Sequence, residues 1–175
     1  PYGETKQICE GILKKFCEAN PPFNNITLRY FNPIGAHKSG MIGELPLGKP
    51  ENLVPFLTQT AIGKRDQLVV FGDDYNTSDG TCIRDYIHIE DLADVHVLCL
   101  EYLIQKKNKA NYEFYNVGTG KGLSVLELIN LFEKVNNIKI NYKIGERRKG
   151  DVVIAFADVS KILKNVGWEC KFSVE

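Results

Sequence analysis

The sequence has no surplus of charge of either sign: 22 Lys and Arg are matched by 22 Asp and Glu among 175 residues. A neutral chain has no global attraction for nucleic acid or an anionic membrane surface, so no nucleic acid and no membrane is expected as a partner. No apolar run approaches the roughly 20 residues of a membrane-spanning helix, and no basic segment leads into an apolar core at the amino end. The chain does not begin with Met, so a targeting segment further upstream would not be seen. The five cysteines (Cys9, Cys17, Cys82, Cys99, Cys170) are odd in number, widely spaced and without CxxC or Cys-His zinc spacing. They read as free thiols of a reducing, cytoplasmic compartment, and no metal site is expected.

What is present suits a globular α/β protein. At 43% hydrophobic residues the chain can bury a core, and its length suggests one domain or part of two. Apolar Ile8, Ile12, Leu13 and Phe16 recur at helical steps from Tyr2 to Ala19, until Asn20-Pro21-Pro22 ends the helix. The β-rich run Ile26 to Phe31 is expected to break at Asn32-Pro33. A loop rich in glycine and proline then runs to about Asn52, and its length suggests a binding or covering role. Helix resumes from Leu53 to about Gly63, with Asn52 placed either to cap it or to bind a ligand. Short strands follow at Leu68 to Phe71 and Tyr86 to Ile89, separated by a polar loop from Gly72 to Gly80. A helix spans about Glu90 to Ile104, and a strand spans Phe114 to Val117. Ser124 with Glu127 fits a capping box ahead of a helix carrying Leu128, Ile129 and Phe132. Asn141 and Tyr142 lie in a further strand, and Asp158-Val159-Ser160 opens the last helix. Such alternation implies a largely parallel sheet.

Gly118, Gly120 and Gly122 follow a strand and precede a helix, but their GxGxG spacing is not the GxGxxG of a dinucleotide site; a flexible turn explains them equally well. His37, His88 and His96 sit where structural roles suffice. Tyr2 and Lys6, four residues apart, share one helical face. They are either an ordinary solvated pair or a proton-transfer pair, since a phenol serves as a base near neutral pH only where a nearby cation favours its phenolate.

Four stretches in order decide between these readings. Tyr2-Gly3-Glu4-Thr5-Lys6 resembles the YxxxK motif of short-chain dehydrogenases and reductases, and Arg29 to His37 (RYFNPIGAH) resembles a signature of the UDP-galactose 4-epimerases. Arg84 to Ala93 (RDYIHIEDLA) and Arg147 to Asp151 (RRKGD) are similar to the same family in the same order. Related nucleotide-sugar dehydratases and decarboxylases share much of this but resemble one another around Asn-x-Tyr-Gly-Pro, where this chain has Asn32-Pro33-Ile34-Gly35-Ala36. They remain the alternative, together with a non-catalytic sugar-nucleotide-binding fragment.

The resemblance implies the remains of an NAD-binding Rossmann-type sheet (residues 1–34 and 86–119) interleaved with a smaller α/β UDP-sugar-binding domain (35–85 and 120–175). It implies NAD as cofactor, UDP-hexose as substrate and a homodimer when intact, built on the helix that begins at Tyr2. Tyr2 would be the base and Lys6 its tuning cation, with both lying at the cofactor beside Tyr30 and Pro33. Arg84 and Arg148 match the diphosphate clamp, where the residue-level alternative is a surface ion pair with Asp85 or Asp151. Asp151 matches a uridine-ribose position, and Asn52 falls on the diphosphate side. Leu68 to Phe71 would pass the uracil, while Phe31, Asn32, Leu53 and Tyr86 complete the substrate side. Ala155, where some members have tyrosine, leaves room for an N-acetyl group. The family's glycine-rich turn, its acidic adenosine-ribose residue and its catalytic Ser or Thr would precede Pro1, and a further helical stretch would follow Glu175.

Overall fold

The computed structural model describes residues 2–175, and its elements are positioned by two apolar cores. The first forms around β1 (Asn25–Tyr30) and β6 (Tyr112–Val117), which pair in parallel from Asn25 opposite Tyr112 to Tyr30 opposite Val117. Alternate residues of β6 point inward, so Glu113, Tyr115 and Val117 are buried while Phe114 faces out beneath Arg29 and Lys161. Ile87, Val95 of α3 (Ile89–Ile104), Ile162 of α5 (Ser160–Val166) and Trp168 fill this core with them. The buried Glu113 carboxylate accepts from the Tyr115 hydroxyl at 2.8 Å and the Lys109 N–H at 2.9 Å, which satisfies a charge that would otherwise oppose burial.

The second core lies between β3 (Leu68–Phe71) and β8 (Tyr142–Gly145), another parallel pair, and the helices α2 (Leu53–Ala61) and α4 (Val125–Asn136). Leu57, Leu68, Val70, Ile129 and Ile140 are buried there. Each such aliphatic side chain contributes about 2 kcal/mol relative to exposure. A three-stranded sheet in the order β7 (Leu123–Ser124), β4 (Ile83–Arg84), β9 (Ile154–Ala155) lies between these units in sequence, with β4 antiparallel to β7 and parallel to β9.

The expected break at Asn32-Pro33 is instead a change of partner. Phe31 N–H still donates to Val117 O at 3.0 Å, but Asn32 N–H donates to Asp85 O at 3.0 Å and opens β2 (Asn32–Ile34), parallel to β5 (Tyr86–His88). Pro33 fits this strand because the next donor facing β5 belongs to Ile34. The strands β4, β7 and β9, two residues each, are too short to carry a periodic signal. Asn52 occupies the N-cap position of α2 without capping it: its side chain donates instead to Glu44 at 3.4 Å.

α1 (Tyr2–Ala19) buries only Cys17, and Ile8, Ile12 and Phe16 are exposed. All five cysteines are free. His88 accepts the Glu90 N–H at 3.1 Å and so caps α3, and His96 contacts the Leu92 carbonyl, as structural roles require. Among the described residues no helix is long and apolar enough to cross a membrane.

The capping box is present in full: Ser124 Oγ accepts from Glu127 N–H at 3.0 Å, and Glu127 accepts from Ser124 N–H at 2.7 Å. Ser124 Oγ also donates to Asp79, whose other oxygen accepts from the Thr81 N–H and hydroxyl. Burial pushes the Asp79 carboxyl up, but these hydrogen bonds outweigh it and hold it below the ordinary value of 3.8. Ser124→Ala removes a cap and one carboxylate partner, and is expected to destabilise the fold by about 2 kcal/mol in urea unfolding at pH 7. A depressed folded-state value stabilises above the unfolded value and is lost as pH falls through the folded one. The difference between wild type and variant should therefore shrink below about pH 4; a pH-independent difference would show that Asp79 takes no part.

Candidate functional site

β4 and β9 set Arg84 directly opposite Ala155. The Arg84 guanidinium lies 3.8 Å from Asp151 and also donates to the Ile83 carbonyl at 2.8 Å. Arg148 grips the same carboxylate at two points, Nε to Oδ2 at 3.0 Å and Nη2 to Oδ1 at 3.1 Å. Its guanidinium stands 5.0 Å from the centre of the Phe71 ring, at the end of β3. Phe71, Arg84, Arg148 and Asp151 are thus joined by a chain of contacts, and Ala155 adjoins them through its pairing with Arg84. The ion-pair alternative is realised with Asp151 rather than Asp85, yet it leaves one more guanidinium than carboxylate in the group. Guanidinium forks with uncompensated positive charge suit a diphosphate.

The neighbouring Arg147 is committed elsewhere. Arg147 pairs with Asp74 at 2.6 Å and lies over the Tyr75 ring, 4.2 Å from its centre. Tyr86 is buried, and desolvation pushes its phenol up to about 12 against the opposing pull of Arg84. It is a neutral hydroxyl at physiological pH and not a competing base.

Tyr2 and Lys6 lie at the exposed amino end of α1, with the Lys6 ammonium 5.2 Å from the Tyr2 ring centre. Two anchors orient this helix. Cys17 O accepts from the Asn111 side chain at 2.5 Å, beside the start of β6, and Glu10 pairs with Arg29 near the carboxyl end of β1. The Arg29 hydrogen bond outweighs burial and holds the Glu10 carboxyl below its usual range. α1 therefore runs antiparallel to β1, and the turns from Glu10 back to Tyr2 extend about 12 Å further at ~1.5 Å per residue. That carries Tyr2 and Lys6 past the carboxyl end of β1, the end at which exposed Tyr30 and half-buried Phe31, Asn32 and Pro33 lie. In open α/β sheets, ligands bind at this end of the strands.

The remaining residues are more dispersed. Leu68 is buried in the second core and Leu53 packs against that core from the start of α2. Asn52 is exposed and bonds only loosely to Glu44.

Sequence reasoning passed over Asp85. Its fully buried carboxylate accepts from Thr119 N–H (2.9 Å), Thr119 Oγ1 (2.6 Å), Gly120 N–H (3.0 Å) and Ala157 N–H (3.1 Å). The glycine-rich turn after β6 thus cradles an anion belonging to the chain itself. A Cβ on Gly118 would lie 2.4 Å from Asp85 Oδ2, so glycine is required for the carboxylate to approach. The available signal was an acidic residue between Arg84 and Tyr86, two residues the resemblance already marks.

The model of the NAD dependent epimerase/dehydratase family matches residues 1–118. The UDP-glucose 4-epimerase of Dictyostelium discoideum is 53% identical over 169 residues, 97% of this chain and 48% of that protein. The Haemophilus influenzae UDP-glucose 4-epimerase is 50% identical over 175 residues, all of this chain and 51% of that protein. Among solved structures, the Stenotrophomonas maltophila UDP-glucose-4-epimerase with bound NAD and formylated UDP-arabinopyranose superposes with TM-score 0.94 at 45% identity, covering 99% of this chain and 51% of that one. The Bifidobacterium longum enzyme in complex with NAD+ and UDP gives TM-score 0.93 at 44% identity, with coverage of 99% and 51%. The chain therefore spans about half the length of the relatives it matches. With its YxxxK helix, its parallel strands and this match over more than half its length, the chain belongs to the NAD dependent epimerase/dehydratase family.

Proposed function

We propose that this chain is the sugar-nucleotide-binding and proton-transfer half of an NAD-dependent UDP-glucose 4-epimerase. The observation that carries the proposal is the convergence of Arg84, Arg148 and Asp151 beside Phe71 and Ala155. In this reading the two guanidiniums hold the diphosphate, Asp151 the uridine ribose, and Phe71, at the end of the strand that buried Leu68 begins, flanks the uracil. Phe31, Asn32, Asn52, Leu53 and Tyr86 shape the remaining substrate side. Residues 1–34 and 86–119 supply the Rossmann-type part, and 35–85 with 120–175 the substrate part, with α5 packing back against the first core.

The exposed phenol and ammonium beyond the carboxyl end of β1, with Tyr30 and Pro33 nearby in the fold, fit the nicotinamide end of NAD. NAD, when bound, supplies a hydride acceptor and donor for sugar carbon 4. Tyr2 would take the proton of the carbon 4 hydroxyl as that carbon is oxidised and return a proton to the same oxygen as the carbon is reduced again. Lys6 supplies the positive charge that a phenolate requires. Ala155 leaves space beside the sugar's carbon 2 substituent, so UDP-GlcNAc and UDP-GalNAc are also substrates. The exposed stripe of Ile8, Ile12 and Phe16 supports a homodimer of the intact, cytoplasmic protein through α1. Because the chain spans half of its relatives, the chain by itself binds UDP without turnover.

Isothermal titration of this chain with UDP should give binding that Arg148→Ala weakens about tenfold, the value of a charge-assisted contact; unaltered affinity would remove Arg148 from the clamp. In the protein carrying both halves, Lys6→Ala should lower kcat by about 10²-fold or more, with little change in UDP affinity. Equal loss of both would make Lys6 structural. Ala155→Tyr should cut UDP-GlcNAc turnover at least about tenfold relative to UDP-glucose, and an unchanged ratio contradicts the pocket argument.

A further inference from the structure

We propose that Asp85 is the positioning residue of the sugar-nucleotide site, an inference that rests on the reading of Arg84, Arg148 and Asp151 as its clamp. The side chain of Asp85 is fully buried and faces away from solvent. Its backbone nevertheless bonds to two strands that carry residues of the proposed site. Its N–H donates to Ala155 O at 3.1 Å, and its carbonyl accepts the Asn32 N–H at 3.0 Å. In sequence it is flanked by Arg84 and Tyr86. The backbone of this one residue thus joins β9, which carries Ala155, to β2, which carries Asn32.

The carboxylate adds the second half of the device. Oδ1 takes both donors of Thr119, and Oδ2 takes the N–H groups of Gly120 and Ala157. All four donors are neutral, and they come from the turn after β6 and the segment after β9. A buried carboxylate held this way needs every donor in place, since losing one leaves charge unsatisfied in a dry site. It therefore admits one arrangement of these segments. The strand bearing Arg84 is fixed against the strand bearing Ala155, and both against the carboxyl end of the β1–β6 pair. A clamp misplaced by about 1 Å loses about two orders of magnitude in productive geometry, so the registration achieved by Asp85 is felt at a ligand that Asp85 never touches.

A second buried carboxylate provides the control. Asp91 is equally buried and accepts the N–H groups of Lys171 (3.1 and 3.2 Å) and Phe172 (3.0 Å), tying the carboxyl-terminal segment to α3. None of these residues belongs to the proposed site. In Asp85→Asn an amide NH2 must face donors in place of an oxygen, and Asp91→Asn makes the same change elsewhere. UDP is titrated into wild type and both variants by calorimetry, at a temperature where circular dichroism shows each one folded. Both variants should melt earlier. Asp85→Asn should weaken UDP binding about tenfold or more, while Asp91→Asn stays within about twofold of wild type. Wild-type affinity in Asp85→Asn, or the same loss in both variants, overturns the positioning role and leaves the clamp reading standing. Failure of the wild type to bind UDP overturns the clamp reading itself, and the positioning role with it. Should Asp85→Asn fail to fold, Thr119→Val removes one of the four donors and keeps the charge. It should weaken UDP binding about threefold, and unaltered binding overturns the proposal.

Discussion

The carboxylate of Asp85, buried and held by four neutral hydrogen bonds, is the constraint on which the arrangement of this molecule depends. It lies where β1 hands the chain from β6 to β5, where the short sheet of β7, β4 and β9 begins, and where the glycine-rich turn leaves β6. The two apolar cores could each form from their own strands and helices. Hydrophobic burial is non-directional and says little about how one such unit is registered against the next. A carboxylate that needs four donors at fixed positions supplies direction. The glycine at 118 follows from accommodating it, and the change of strand partner at Asn32 runs through the backbone carbonyl of the same residue.

Charge elsewhere in the chain is used in the same economical manner. Glu113, Asp91 and Asp85 are buried with hydrogen-bond donors and stabilise structure, whereas half-buried Arg84 and Asp151 and exposed Arg148 form a group with positive charge in excess. The neutral totals of the sequence conceal this separation. α1 is held by one polar anchor at its carboxyl end and one ion pair at its middle, so its first turns stand clear of the sheet with Tyr2 and Lys6 exposed. In the proposed reading the base must meet both cofactor and substrate, and an exposed helix end beyond the strand termini suits that need.

Long periodic segments were legible in the sequence: α1, α3, α4 and the strands at Leu68 and Phe114 stand where apolar spacing puts them. The capping box at Ser124 and Glu127 was legible too, because it is a local hydrogen-bonding pattern. The two-residue strands were not, since two residues carry no period, and neither was β2, whose proline argues against a strand unless the partner's position is known. Arg84, Arg148 and Asp151 were named through resemblance, while the geometry that brings Arg84 to Asp151 depends on segments far apart in sequence. Asp85 escaped because its partners at Thr119, Gly120 and Ala157 lie 34 to 72 residues away. Gly118 to Gly122 were read as a turn rather than a dinucleotide fingerprint; the turn is there, and Gly118 in it is required by the approach of an internal carboxylate.

In the proposed reading Arg84, Arg148 and Asp151 form the nucleotide-binding surface of this chain. An amide-resolved NMR titration with UDP locates that surface residue by residue. Saturable shifts are expected, centred on Phe71, Arg84, Arg148, Asp151 and Ala155 and fading toward α4 and the carboxyl end of α1. Shifts that are absent, or that gather elsewhere on the molecule, would contradict it.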